Sequence, residues 1–123
     1  MSFERMSLGK WGEDTAVNYL RHAGFKIITR NYQHIFGEID IVAIKDGTYI
    51  FIEVKTRRSV RYGHPAEAVT LRKKRQISKA ALEYVTRHQL SDYPMRFDVV
   101  SVIKKPEGTE ISHLESAFDA ILY

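Results

Sequence analysis

Four ionisable side chains, Glu38, Asp40, Glu53 and Lys55, are spaced so that a single turn would bring them together. They flank Asp46-Gly47, and Asp-Gly between two runs rich in Ile and Val is the strongest short-range signal for a β-hairpin. With those two residues as the loop, Lys45 opposes Thr48, and counting outwards puts Asp40 opposite Glu53 and Glu38 opposite Lys55. Side chains alternate along a strand, so the four would project from one face. The other face, Ile39, Ile41 and Ala43 against Val54, Ile52 and Ile50, would be core. Carboxylates directly opposed stand roughly 4.5–5.5 Å apart at Cβ and destabilise the sheet unless something compensates. A divalent cation compensates, and Mg²⁺ is usually held by one or two carboxylates with waters and substrate phosphate oxygens. Lys55, two residues beyond Glu53 on the same face, would then reach the metal-bound water or the phosphate. The competing explanation is a charge cluster at a wet sheet end, and a one-residue slip would split Asp40 from Glu53.

Asp40 followed on the next strand by Glu53-Val54-Lys55 resembles the PD-(D/E)xK nuclease signature. Gly37-Glu38-Ile39-Asp40 with Glu53-Val54-Lys55-Thr56-Arg57 looks like the YraN family, small bacterial proteins similar to Holliday-junction resolvases, and the likeness runs from Gly9 to Phe118. Ile39 stands where the signature has Pro. The resemblance implies an α/β, restriction-endonuclease-like core: a mixed central sheet flanked by helices in the order αβββαββ, in a single domain over residues 1–123. It implies a metal-dependent endonuclease that hydrolyses DNA phosphodiester bonds, with branched or structured DNA as substrate. Asp40 and Glu53 would bind Mg²⁺ or Mn²⁺, helped by the Val54 carbonyl, and Glu13 would be a further metal ligand. Lys55 would orient or activate the attacking water. Lys73 corresponds to the helical lysine that holds a phosphate, with Gln76 the weaker candidate. A homodimer is an assembly that the resemblance leaves open.

The chain has 123 residues, 44% of them hydrophobic, enough for one substantial core. With no cysteine, disulfides and thiolate metal sites are excluded, and a metal would rest on oxygen or histidine ligands. The start, Met-Ser-Phe-Glu-Arg, has no apolar core of a signal peptide and no run approaches membrane-spanning length, so a cytoplasmic protein with no membrane partner is expected. Net charge is only +4 but lopsided: Lys55 to Lys79 holds nine basic residues against Glu67 alone, so that segment is +8 and the remainder −4. Such a block beside carboxylates suits a polyanion whose phosphates it would neutralise, and the resemblance implies that this partner is a nucleic acid, DNA above all. Arg57, Arg58, Arg61 and Tyr62 would serve from a loop over 57–69, and Arg72, Lys73, Lys74 and Gln76 from the helix beyond it. A merely solvated helix face competes with this reading.

These residues need elements to position them. Ser7 to Ala23 reads as a helix capped by Ser7 and stopped by Gly24, with Glu13, Ala16, Val17 and Leu20 on its inward stripe and Asp14 towards solvent. An inward carboxylate needs a cation, a donor or water; a first-turn acid favoured by the helix dipole is the plainer account of Glu13. Phe25 to Tyr32 reads as a strand joined by a short connection to the hairpin, and His34 beside it as incidental. Thr70 should cap a helix to about Gln89, with Ile77, Ala80, Ala81, Tyr84 and Val85 inward, Lys73 on that stripe and His88 packed or capping. Arg96 to Ile103 should form a strand parallel to Tyr49 to Thr56, reached through that helix, and Glu110 to Leu114 an edge strand followed by Phe118 and Ile121 over the core. Asp98 has no role in this scheme. Two functions compete with the nuclease: a non-catalytic nucleic-acid-binding module that retains the fold, and an interaction protein that uses its apolar edge strand.

Overall fold

A computed structural model describes residues 3–58 and 69–122, with side chains from Leu8 onwards. The elements run α1 (Phe3–His22), β1 (Lys26–His34), β2 (Gly37–Lys45), β3 (Thr48–Arg57), α2 (Leu71–Arg87), β4 (Met95–Lys105) and β5 (Gly108–Phe118). The five strands form one mixed sheet in the order β1-β2-β3-β4-β5, parallel between β3 and β4 and antiparallel elsewhere. The parallel pair is what a helical crossover between β3 and β4 demands.

Asp46 and Gly47 have φ of 50° and 75°, the paired left-handed conformation of a two-residue hairpin loop, and the ladder closes as Lys45↔Thr48 through Ile41↔Ile52. Both faces of this hairpin are buried. Ile41, Ala43, Ile50 and Ile52 join Ala16, Val17 and Leu20 of α1, while Val42 and Phe51 join Ile77, Ala80, Ala81, Tyr84 and Val85 of α2. The expected single core face is therefore corrected, because the crossover helix needs somewhere to lay its apolar stripe and takes the second face of the sheet. Ile39 is corrected too: it packs on the α2 side although Ile41, two residues on, packs on the α1 side. Strict alternation fails between them, at Asp40.

Helix α1 starts at Phe3, upstream of the expected cap Ser7, and ends before Gly24, whose φ of 92° suits glycine. Its approach to the sheet is set by Gly12, where a Cβ would lie 1.9 Å from Thr56 Oγ1 and 2.7 Å from Thr56 Cβ. The Thr70 hydroxyl accepts from Lys73 N at 3.1 Å and caps α2, while His88 is the C-cap and lies against the Tyr84 ring. β1 runs on to His34 and β5 to Phe118, each beyond the expected bounds. Phe118 stacks on Phe97, and Ile121 N donates to Ser78 Oγ. Arg61 and Tyr62 lie outside the described residues, as does most of the loop expected over 57–69.

Candidate functional site

Beyond Ile41↔Ile52 the hairpin forks. Asp40 does not continue the ladder: its Oδ2 accepts from the backbone N–H of Val54 at 2.8 Å, filling the gap between the strands. On β1, Asn31 stands between the pairs Arg30↔Ile41 and Tyr32↔Ile39 with a left-handed φ of 54°. Asparagine is among the few residues other than glycine that tolerate that conformation. Asn31 and Asp40 thus lie side by side, between Arg30↔Ile41 and Tyr32↔Ile39, and both line a cleft of about 410 Å³ with Leu8, Gly9, Glu13, Glu38, Val54 and Thr56.

Glu53 projects from β3 towards α2, not into that cleft, and its side chain is only 4% exposed. Lys73 Nζ stands 3.6 Å and Lys55 Nζ 3.9 Å from Glu53 Oε2, which is buried with no hydrogen-bond partner. The expected pairing of Glu38 with Lys55 gives way to this one, because the fork turns Glu38 to the α1 side with the cleft. Asp40 spans the two sides. Burial, then the hydrogen bond and the negative charge of Glu53, push its carboxyl up to about 8, against the opposing pull of the Val54 N–H and Lys73. Burial and the charge of Asp40 raise Glu38 as well, with Lys73 opposing. Acids so crowded hold a proton unless a cation replaces it.

Glu13 reaches the cleft wall from α1, as the stripe requires, but its Oε1 already accepts from Arg30 Nε at 2.9 Å and Asn31 Nδ2 at 3.0 Å. Arg30 also donates through Nη2 to Asp14 Oδ1 at 2.6 Å, and this bond leads the causes that hold Asp14 below its ordinary value. Arg30 and Asn31 were missed from the sequence. The signal was an inward acid on α1 in want of a donor, with an Arg-Asn pair on the strand that follows. Among the described residues no three acidic or histidine side chains converge as a metal cluster; Asp40 and Glu53 lie against each other as a pair of carboxylates.

The basic residues divide. Lys73 joins the carboxylates, while Gln76 instead lines a second cavity, with Arg72, Arg75 and Lys79. Lys74 lies over the Phe118 ring, 5.6 Å from its centroid. Arg57 is half-buried at the end of β3, Arg58 is exposed beyond it, and Arg61 is outside the described residues.

The model of the uncharacterised protein family UPF0102 matches residues 12–102. The chain belongs to UPF0102, the YraN family. A UPF0102 protein of Syntrophotalea carbinolica is 46% identical over 119 residues, 97% of each chain. One of Geobacter sulfurreducens is 48% identical over 113 residues, covering 91% of this chain and 88% of the relative. One of Myxococcus xanthus is 39% identical over 117 residues, 95% and 93% of the two. The UPF0102 match takes in Glu13, Asp40, Glu53, Lys55 and Lys73, so every residue of the fork lies within it. No described helix is long and apolar enough to cross a membrane.

Proposed function

We propose that this UPF0102 chain is a divalent-metal-dependent endonuclease with a restriction-endonuclease-like core, hydrolysing DNA phosphodiester bonds and acting on branched or structured DNA. The observation that carries the reading is the fork. It holds two acids against each other, beside a cleft, with a buried carboxylate oxygen that has no hydrogen-bond donor. That donor set suits Mg²⁺ or Mn²⁺, which accept oxygen ligands from one or two carboxylates. Asp40 and Glu53 would hold the ion, which when bound offsets charge on the phosphate and favours attack by water. Glu13, fixed by Arg30 and Asn31, does not converge with these two carboxylates among the described residues and would act from the cleft wall, on water or substrate, not as a third ligand to the same ion. Lys55 would orient or deprotonate the attacking water, and Lys73 would steady the phosphate. The Val54 N–H keeps the Asp40 carboxylate aimed into the fork.

A second reading is a nucleic-acid-binding module without turnover. It is favoured by the two lysines, whose charges offset that of Glu53. The deciding experiment incubates linear, nicked, flapped and four-way DNAs with Mg²⁺ or Mn²⁺ and wild type or Glu53→Gln. Cleavage by wild type, abolished in the variant and by chelation, is expected. Salt-dependent binding of all four DNAs without cleavage of any would establish the second reading instead.

A further inference from the structure

The two-residue turn between β1 and β2 is Ile35-Phe36, and nothing in turn chemistry asks for apolar side chains there, since such loops favour Gly, Asn and Asp. Ile35 is 89% and Phe36 46% exposed. The turn is nevertheless held in place. Phe36 N donates to His34 Nδ1 at 3.3 Å, and the two rings lie with centroids 5.0 Å apart. Gly37 presses the turn onto α2 so closely that a Cβ would come within 2.9 Å of Gln76 Cβ. A cavity of about 350 Å³ results, lined by Ile35, Phe36, Arg72, Arg75, Gln76 and Lys79.

Three of these six residues are cationic and none is acidic. Lys79 Nζ stands over the Phe36 ring, 5.2 Å from its centroid, and Arg75 Nε is buried with no hydrogen-bond partner. A guanidinium N–H left unpaired invites an oxygen acceptor, and three cations without an acid favour a polyanion. An aromatic ring and a branched aliphatic side chain contribute nothing to phosphate. They offer a flat apolar face and an edge, which suit a nucleobase, and bases in an intact duplex have their faces covered by their neighbours. Only an unstacked step presents one.

We propose that Ile35-Phe36 is a wedge that receives an unstacked base at a branch or fork in a nucleic acid, while Arg72, Arg75 and Lys79 take the flanking phosphates. This rests on the nucleic-acid partner of the function proposed above and assigns the feature of structured DNA that is recognised. Helix α2 joins the two sites: Lys73 on one side faces Glu53, and Arg72, Arg75, Gln76 and Lys79 face the turn. The branch point would therefore be seated by the same helix that approaches the carboxylates.

The test measures binding in chelator, where no cleavage can intervene, using a forked DNA with 2-aminopurine at its first unpaired position and a fully paired duplex of equal length. Phe36→Ala and Ile35→Ser change exposed positions and leave the core intact. Each should weaken binding to the fork roughly tenfold, the scale of one lost base stack. Affinity for the paired duplex should stay within about twofold, and Phe36→Ala should abolish the 2-aminopurine response. Arg75→Ala should weaken both DNAs and flatten the salt dependence of each. Equal losses on fork and duplex, or no loss on either, would overturn the wedge. So would a wild type that self-associates through this turn, seen by sedimentation as a dimer lost in Phe36→Ala. Fork selectivity that depends on Phe36 in a protein that cleaves nothing leaves the wedge standing and removes the endonuclease. Metal-dependent cleavage with fork affinity unchanged in Phe36→Ala does the reverse.

Discussion

Asp40 carries the pH dependence of the fork. Its carboxyl, raised to about 8 by burial and by Glu53, binds a proton more tightly folded than unfolded. The stability it contributes to the metal-free protein is thus complete below its ordinary value of 3.8 and is lost as pH rises through about 8. Urea midpoints measured in chelator should fall across that interval in wild type and fall less in Asp40→Asn. A cation must displace the same proton, so Mn²⁺ affinity should climb from pH 6 to 8, by up to about tenfold per pH unit for one proton released. A flat titration over that interval would refute displacement of the Asp40 proton by the cation. Lys55 tests the chemistry beside it. Lys55→Ala should spare Mn²⁺ binding and lower cleavage on the order of 10²-fold or more. Lys55→Arg separates its two roles, since arginine keeps the charge but cannot give up a proton. Retained cleavage would make the role electrostatic; comparable cleavage by wild type and Lys55→Ala would leave Lys55 a structural partner of Glu53.

At the scale of elements, the cleft depends on how closely α1 meets β3. Gly12 allows that contact, and because Thr56 Cβ, not only the end of its side chain, lies in the path of an added methyl, relief requires the helix or strand to move. Gly12→Ala should cost about 1–3 kcal/mol despite the better helix propensity of alanine, read as a lower urea midpoint at unchanged slope. The same clash should displace Glu13 from Arg30 and Asn31, so cleavage should suffer beyond the loss of stability. Helix α2 was legible almost residue by residue, because Ile77, Ala80, Ala81, Tyr84 and Val85 carry a helical period and Thr70 a cap. Strand ends were less so. Gln33-His34 extend β1 because they find Glu38 and Gly37 as ladder partners, and β5 runs on past a register shift after Leu114 to pair Phe118 with Phe97, a property of the neighbouring strand and not of their own composition.

Across the whole molecule, Asp98 ties β4 to β5 and α1. It is fully buried and accepts from Arg96 Nε at 3.0 Å and Ser116 N at 3.0 Å, and His113 Nε2 lies 2.8 Å from its Oδ2. Tyr19 OH meets the other nitrogen of that histidine at 3.1 Å. Burial alone would raise the carboxyl, but the bonds from His113, Arg96 and Ser116 outweigh it and hold it below its ordinary value of 3.8. Its contribution to stability is present above that value and is lost as pH falls through the lower folded value. Asp98→Asn should therefore cost about 3–5 kcal/mol at neutral pH, the scale of a broken buried ion pair, with a smaller difference from wild type in strong acid. The lopsided charge makes a separate prediction: Arg72→Ala with Lys74→Ala should flatten the plot of log affinity for DNA against log salt, by up to roughly one unit per lost phosphate contact. An unchanged slope would mark both side chains as merely solvated.

By itself the sequence determined the α/β character, the Asp46-Gly47 turn, the register from Lys45 to Ile41, the capped second helix and the nearness of Asp40 to Glu53. All are local: turn chemistry, residue period and counting along two strands that share one loop. Tertiary structure decided which way each charge faces. Ile39 and Ile41 pack on opposite sides because two helices compete for the two faces of one sheet, and Asp40 absorbs the switch by bonding Val54 N. Glu13 found Arg30 and Asn31, and Asp98 found His113 and Ser116, across separations of 15 to 18 residues. No period in the chain encodes such partners, since each is chosen by strand order and by the cost of leaving a buried carboxylate without a donor.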